Sequence, residues 1–301
     1  MFKDKRKNII NIAGIATILL LSTVAAGYMS ILQTANAQGT DPSQVRIVWQ
    51  PNRCSTQASC DNLASITNNF MGSSVHSAHK DTLIFHYGNG QTPTAEQISA
   101  MQSITSIPNS KKGFEFFSSQ QLMDNIDTAK NAGFRIMFLD LEGDSPDDEE
   151  AAPVTTFRNL DNFIDDYNAA NGVTMQLGAA PGYHITNQNS KIDGIAPEVT
   201  WYHIQGQQDQ DNDGNCTAMQ NFVNTRNTRL ESAKPAIEDE TSFQVTLTAH
   251  AASGKTAYET AFDCITTVMP DDVDGVTVWY GGGNVDNGEY EDIYTHAEDL
   301  T

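Results

Sequence analysis

The sequence predicts a single (β/α)8 TIM barrel behind an N-terminal signal segment, and three observations carry that expectation. The chain has 301 residues, the size of one barrel domain. Short apolar runs recur eight times, about thirty residues apart, with stretches of helical apolar spacing between them. The runs are nearly continuous rather than alternating, as parallel strands buried on both faces require. An open doubly wound sheet is the alternative, but no glycine-rich dinucleotide fingerprint follows any run.

Residues 1–37 read as a signal peptide. Lys3, Lys5, Arg6 and Lys7 precede an apolar stretch over residues 9–32, and Ala35-Asn36-Ala37 offers a small-x-small cleavage pattern before Gln38. The stretch is also long enough to span a bilayer, so an uncleaved membrane anchor through residues 9–32 is the second reading. Either way the bulk of the chain is expected outside the cell, secreted or held at its surface. Residues 38–45 are a polar, turn-rich linker, and the barrel is expected over 46–301.

The strand runs are 46–50, 82–87, 113–117, 134–141, 173–179, 199–205, 243–248 and 275–280. Helical spacing appears in Ile98, Met101 and Ile104, in Leu122, Met123, Ile126 and Ala129, in Phe157, Leu160, Ile164 and Tyr167, in Phe222, Val223 and Leu230, and in Tyr258, Ala261, Phe262 and Ile265. Gly133 and Gly172 stand where helix C-terminal caps belong. The first helix, near 60–70, is polar and has the weakest signal.

Charge narrows the class of partner. With 38 acidic and 17 basic side chains, the formal net charge is −21. A phosphate backbone needs a basic surface to displace its counterions, so nucleic acid is excluded as a partner and a neutral or cationic substrate is favoured. All four cysteines, Cys54, Cys60, Cys216 and Cys264, lie in the exported part and read as two disulfides. Three connectivities exist, and proximity favours Cys54 with Cys60 and Cys216 with Cys264. The cysteine spacing matches no zinc site.

The fourth run ends in Asp140-Leu-Glu142. Side chains two apart share one side of a strand, and at the C-terminal end of a barrel strand that side faces the mouth. Asp140 and Glu142 are therefore expected to converge on one pocket, where repulsion between close carboxylates favours a retained proton on one of them. The alternative is that Asp140 is held locally and Glu142 opens the acidic loop through Asp144, Asp147, Asp148, Glu149 and Glu150.

Asp140-x-Glu142 resembles the end of the Asp-x-x-Asp-x-Asp-x-Glu signature of glycoside hydrolase family 18, the chitinases. Three further runs resemble segments of the plant class III chitinases in the same strand order: Met175-Gln-Leu-Gly-Ala-Ala-Pro181, Trp201-Tyr-His-Ile-Gln205-Gly-Gln207 and Gly275-Val-Thr-Val-Trp279. The resemblance implies hydrolysis of β-linked N-acetylglucosamine glycans by a substrate-assisted retaining mechanism. It implies Glu142 as the acid, Asp140 as the residue orienting the acetamido group, and Gln205, Gln207 and Trp279 as substrate-binding groups. No cofactor is required by it. In this chain Arg135 and Phe138 occupy the two earlier acidic positions of the signature, and Gln207 stands where the family has tyrosine. A catalytically weak or inactive glycan-binding or cell-surface protein is accordingly the second reading.

Asp209, Asp211 and Asp213, followed by Gly214, match the first half of a calcium loop, with Gln220 in place of the closing glutamate. A solvated acidic turn competes with a structural calcium there. The seven histidines show no metal-binding spacing, and no Gly-x-Ser-x-Gly esterase elbow is present.

Overall fold

The computed structural model describes residues 47–51, 53–73, 81–143, 145–206, 216–233, 242–248 and 275–279. The expected signal segment and linker lie outside them, as do Gln207, Asp209, Asp211, Asp213, Cys264 and the helix expected near 258–265. Among the described residues no helix is long and apolar enough to cross a membrane.

Eight strands run in chain order around a closed barrel: β1 (Ile47–Gln50), β2 (Thr82–Tyr87), β3 (Lys112–Phe116), β4 (Ile136–Leu141), β5 (Gln176–Pro181), β6 (Trp201–Gln205), β7 (Ser242–Thr248) and β8 (Gly275–Trp279). Every neighbouring pair is parallel, and β8 closes on β1. The described helices are α1 (Gln57–Ser73), α2 (Ala95–Ser103), α3 (Ser119–Ala132), α4 (Asp147–Ala151), α5 (Pro153–Asn171), α6 (Tyr183–Thr186), α7 (Asn189–Ile195) and α8 (Cys216–Ala233). The chain is thus a (β/α)8 barrel. Its strands are apolar because every described residue of β1, β3, β4, β5 and β6 is buried, inward and outward alike.

Local chemistry sets the ends of these elements. Thr94 and Gln97 form a reciprocal capping box at the start of α2, and Ser118 accepts from the Gln121 amide to cap α3. Gly133 ends α3 with φ 87°, and Gly172 has φ 62°, the left-handed backbone that glycine adopts without a Cβ penalty. β5 begins at Gln176, three residues later than the apolar run, because the Asn168 side chain engages both the amide and the carbonyl of Met175. Pairing with β4 then starts where Gln176 N donates to Arg135 O. The polar first helix does form, and a disulfide between Cys54 and Cys60 ties its first turn to the segment after β1.

Inside the barrel, Val48, Ile84, Ile136, Phe138 and Trp201 form one buried cluster. Phe138 has room because its register partner on β5 is Gly178, where a Cβ would meet the phenyl ring at 2.2 Å. This layer closes the barrel interior below the C-terminal mouth, as side-chain layers do in such barrels.

Candidate active site

Two residues further along β1, β2, β4 and β6, the inward face turns polar. Gln50 from β1, His86 from β2, Glu115 from β3, Asp140 from β4, His203 and Gln205 from β6 and Trp279 from β8 line one cavity of about 320 Å3. Four of them follow a residue of the core cluster at a spacing of two: Val48 precedes Gln50, Ile84 precedes His86, Phe138 precedes Asp140, and Trp201 precedes His203. Glu142, Phe117 and Ala180 complete the wall at the strand ends.

Asp140 is buried at the end of β4, opposite Ala180 in register. Gln205 reaches across β5 to hold it: Nε2 donates to Asp140 Oδ1 at 3.3 Å and to Ala180 O at 3.0 Å. Glu142 lies just past the strand and is half-buried. Its position depends on Ser145, whose amide donates to Glu142 O and whose Oγ accepts from Glu142 N and donates to Asp140 O. One buried serine thus fixes the turn that follows the acidic pair. Glu149, in the acidic run, instead accepts from the amide and hydroxyl of Ser119, so the acidic loop and Glu142 have separate partners.

The second buried carboxylate of the site is Glu115, which carries no motif. It is 3% exposed, and its two oxygens are divided between two strands. Gln50 Nε2 donates to Oε2 at 2.8 Å, and His86 Nδ1 donates to Oε1 at 2.7 Å. Burial alone would raise the pKa of this carboxyl, but the His86 hydrogen bond, the neighbouring imidazoles and Gln50 hold it below its ordinary value. His86 Nδ1 also lies 3.7 Å from Asp140 Oδ2, so one imidazole edge sits between two carboxylates. Its ring meets Phe117 edge-on at 4.8 Å and Trp279 at 6.2 Å between centroids.

His203 lines the same cavity, with its ring 4.2 Å from Phe138. It is 1% exposed, and Nε2 has no hydrogen-bond partner among the described residues. Burial pushes its pKa down to about 4, against an opposing pull from Glu115, so it is neutral at physiological pH.

Of the residues expected from sequence, Asp140, Glu142, Gln205 and Trp279 come together in the cavity, and Gln207 lies outside the described residues. Gln50, His86, Glu115 and His203 escaped sequence reasoning. Their signal is a polar side chain at inward parity inside an otherwise apolar strand, plainest for Glu115 between Phe114 and Phe116.

No family model matches the chain, and no curated protein matches it. Solved structures do. One is a truncated form of 3-deoxy-D-arabino-heptulosonate 7-phosphate synthase from Thermotoga maritima, at 9% identity over 85% of this chain and 86% of that one, with a TM-score of 0.45. Another is a double mutant of flavocytochrome b2 with pyruvate bound, at 11% identity and a TM-score of 0.44. That match covers 85% of this chain and 63% of the other. Likeness at this level carries no argument about activity.

Proposed function

We propose that the protein is an exported glycoside hydrolase of the family 18 type, acting on β-linked glycans that contain N-acetylglucosamine. One observation carries this reading: Asp140, Glu142, Gln205 and Trp279, from three strands and the turn after β4, line a single cavity. Glu142, half-buried at the wall, donates its proton to the glycosidic oxygen as the bond to the anomeric carbon breaks. Asp140, oriented by Gln205, accepts from the acetamido N–H of the sugar and turns its carbonyl toward the anomeric carbon. That carbonyl is the nucleophile, which is why no enzyme carboxylate needs to attack. Water then opens the oxazolinium ring, giving its proton back to Glu142. Trp279 offers its ring to the apolar face of the sugar. A neutral glycan suits a chain of net charge −21.

A glycan-binding protein without turnover is the second reading, favoured by Phe138. It occupies a carboxylate position of the signature, two residues below Asp140, and packs its ring against His203. The deciding experiment is hydrolysis of a chitin oligosaccharide by the purified protein and by Glu142→Gln. Turnover lost in the variant supports the hydrolase, and binding without turnover in the wild type supports the second reading.

A further inference from the structure

Glu115 and Asp140 place two carboxylates, 3% and 6% exposed, on either side of a single imidazole. Buried anions need compensation from a cation or a dense set of hydrogen bonds. In each carboxylate an amide side chain engages one oxygen, Gln50 on Glu115 Oε2 and Gln205 on Asp140 Oδ1. The remaining oxygens, Glu115 Oε1 and Asp140 Oδ2, converge on His86 Nδ1 at 2.7 and 3.7 Å. One donor atom from each of His86, Glu115 and Asp140 falls within 4.8 Å of the others. Amides that orient the outer oxygen of a carboxylate are the usual support of a metal-binding group.

An independent observation comes from His203. It lines the same cavity, is 1% exposed, and its Nε2 makes no hydrogen bond among the described residues. A buried ring nitrogen without a partner is costly to leave unsatisfied. We propose that His86, Glu115 and Asp140 bind one first-row divalent transition-metal ion, with His203 lining the same cavity. One imidazole with two carboxylates suits zinc or manganese. The site offers no thiolate for a soft ion, and its nitrogen donor disfavours calcium and magnesium.

The site goes beyond the glycosidase reading and shares Asp140 with it. With the cation bound, Asp140 is engaged as a ligand and no longer accepts the acetamido N–H. Zinc therefore inhibits the proposed hydrolysis and a chelator restores it.

The test is titration of the chelator-treated full chain with Zn2+ by calorimetry, together with the rise in Tm on adding Zn2+. One ion per chain is expected, with Glu115→Gln and His86→Gln each abolishing the Tm rise. Gln50→Leu, which leaves the ligands in place, should weaken binding about 10- to 100-fold. Glu142→Gln should bind zinc as the wild type does, so loss of hydrolysis and loss of the metal site are read separately. X-ray absorption of the zinc-loaded wild type gives the ligand set without relying on any variant folding. Imidazole scattering with oxygen neighbours supports the site. Oxygen neighbours alone, no bound ion, or unchanged binding in both Glu115→Gln and His86→Gln overturns it.

Discussion

His86 and Glu115 face each other in register on β2 and β3, and the imidazole Nδ1 donates to Glu115 Oε1 across 2.7 Å. Because the strands are parallel and adjacent, this contact links two residues that no local pattern connects. It also puts a buried carboxylate beside the one that ends β4, with the same imidazole touching both. The polar layer at the mouth is therefore one connected cluster of ionisable groups.

Acid should destabilise the protein in two overlapping steps. His203 has a folded pKa near 4 against an unfolded value of about 6.5, so between these limits the unfolded chain binds the extra proton and stability falls as pH drops. Glu115 is held below its ordinary value in the fold. Its contribution is complete above about pH 4.3 and is lost as pH falls through its folded pKa. Calorimetric Tm between pH 7 and 3 should decline throughout this range. His203→Phe should flatten the part above pH 4 and leave the lower part, and an unchanged slope in that variant would contradict the assignment.

Gly178 should not tolerate a methyl group. A Cβ there falls 2.2 Å from the Phe138 ring, so Gly178→Ala must displace a ring wedged in the barrel interior. The expected cost is about 1–3 kcal/mol. Phe138→Leu in the same chain should recover part of it, since two residues in contact do not add independently. Urea unfolding of the single and double variants measures the coupling, and strict additivity would mean that the strain is relieved elsewhere.

The barrel was legible in the sequence because parallel strands covered on both faces leave continuous apolar runs. Seven of the eight runs begin within two residues of the observed strands. β5 was displaced because Asn168 engages the backbone of Met175, a tertiary contact without local signature. Asp140 and Glu142 stood out because they break an apolar strand at its end, where barrel chemistry sits. Glu115 and His86 did not, since a lone polar residue inside a strand is significant only once register sets its neighbour, and register is a long-range property. His203 was hidden in the same way, within the run used for the resemblance.

Lys112, fully buried at the start of β3, should be a structural cation rather than a chemical one. Its Nζ donates to Met101 O, Ile104 O and Asn109 Oδ1, gathering the C-terminal end of α2 and the turn that follows. Lys112→Met leaves those carbonyls without their donor and should cost about 1–3 kcal/mol. Burial lowers the ammonium pKa to about 8, below the unfolded value of about 10.4. Between these limits the unfolded chain binds more protons, so this residue makes stability rise with pH. The wild type should show that rise in chemical denaturation between pH 8 and 10, and Lys112→Met should lack it.

Glu142 and Trp279 should separate chemistry from binding in a hydrolase of the proposed kind. Proton donation acts on the transition state, so Glu142→Gln should reduce kcat by about 100-fold or more while leaving the Kd for a chitin oligosaccharide nearly unchanged. Trp279 is half-buried at the end of β8, beside Gln50 in register, and its ring acts on the bound sugar before any bond breaks. Trp279→Ala should therefore raise KM and Kd together, by a factor of about 5 to 100 for the lost stacking area, with a smaller change in kcat. Steady-state kinetics on a defined oligosaccharide and calorimetric binding give both quantities for each variant. Equal losses of affinity in the two variants would mean that Glu142 holds the ligand rather than protonating it. Unchanged affinity in Trp279→Ala would place the sugar elsewhere in the cavity, against the His86 and Phe117 wall.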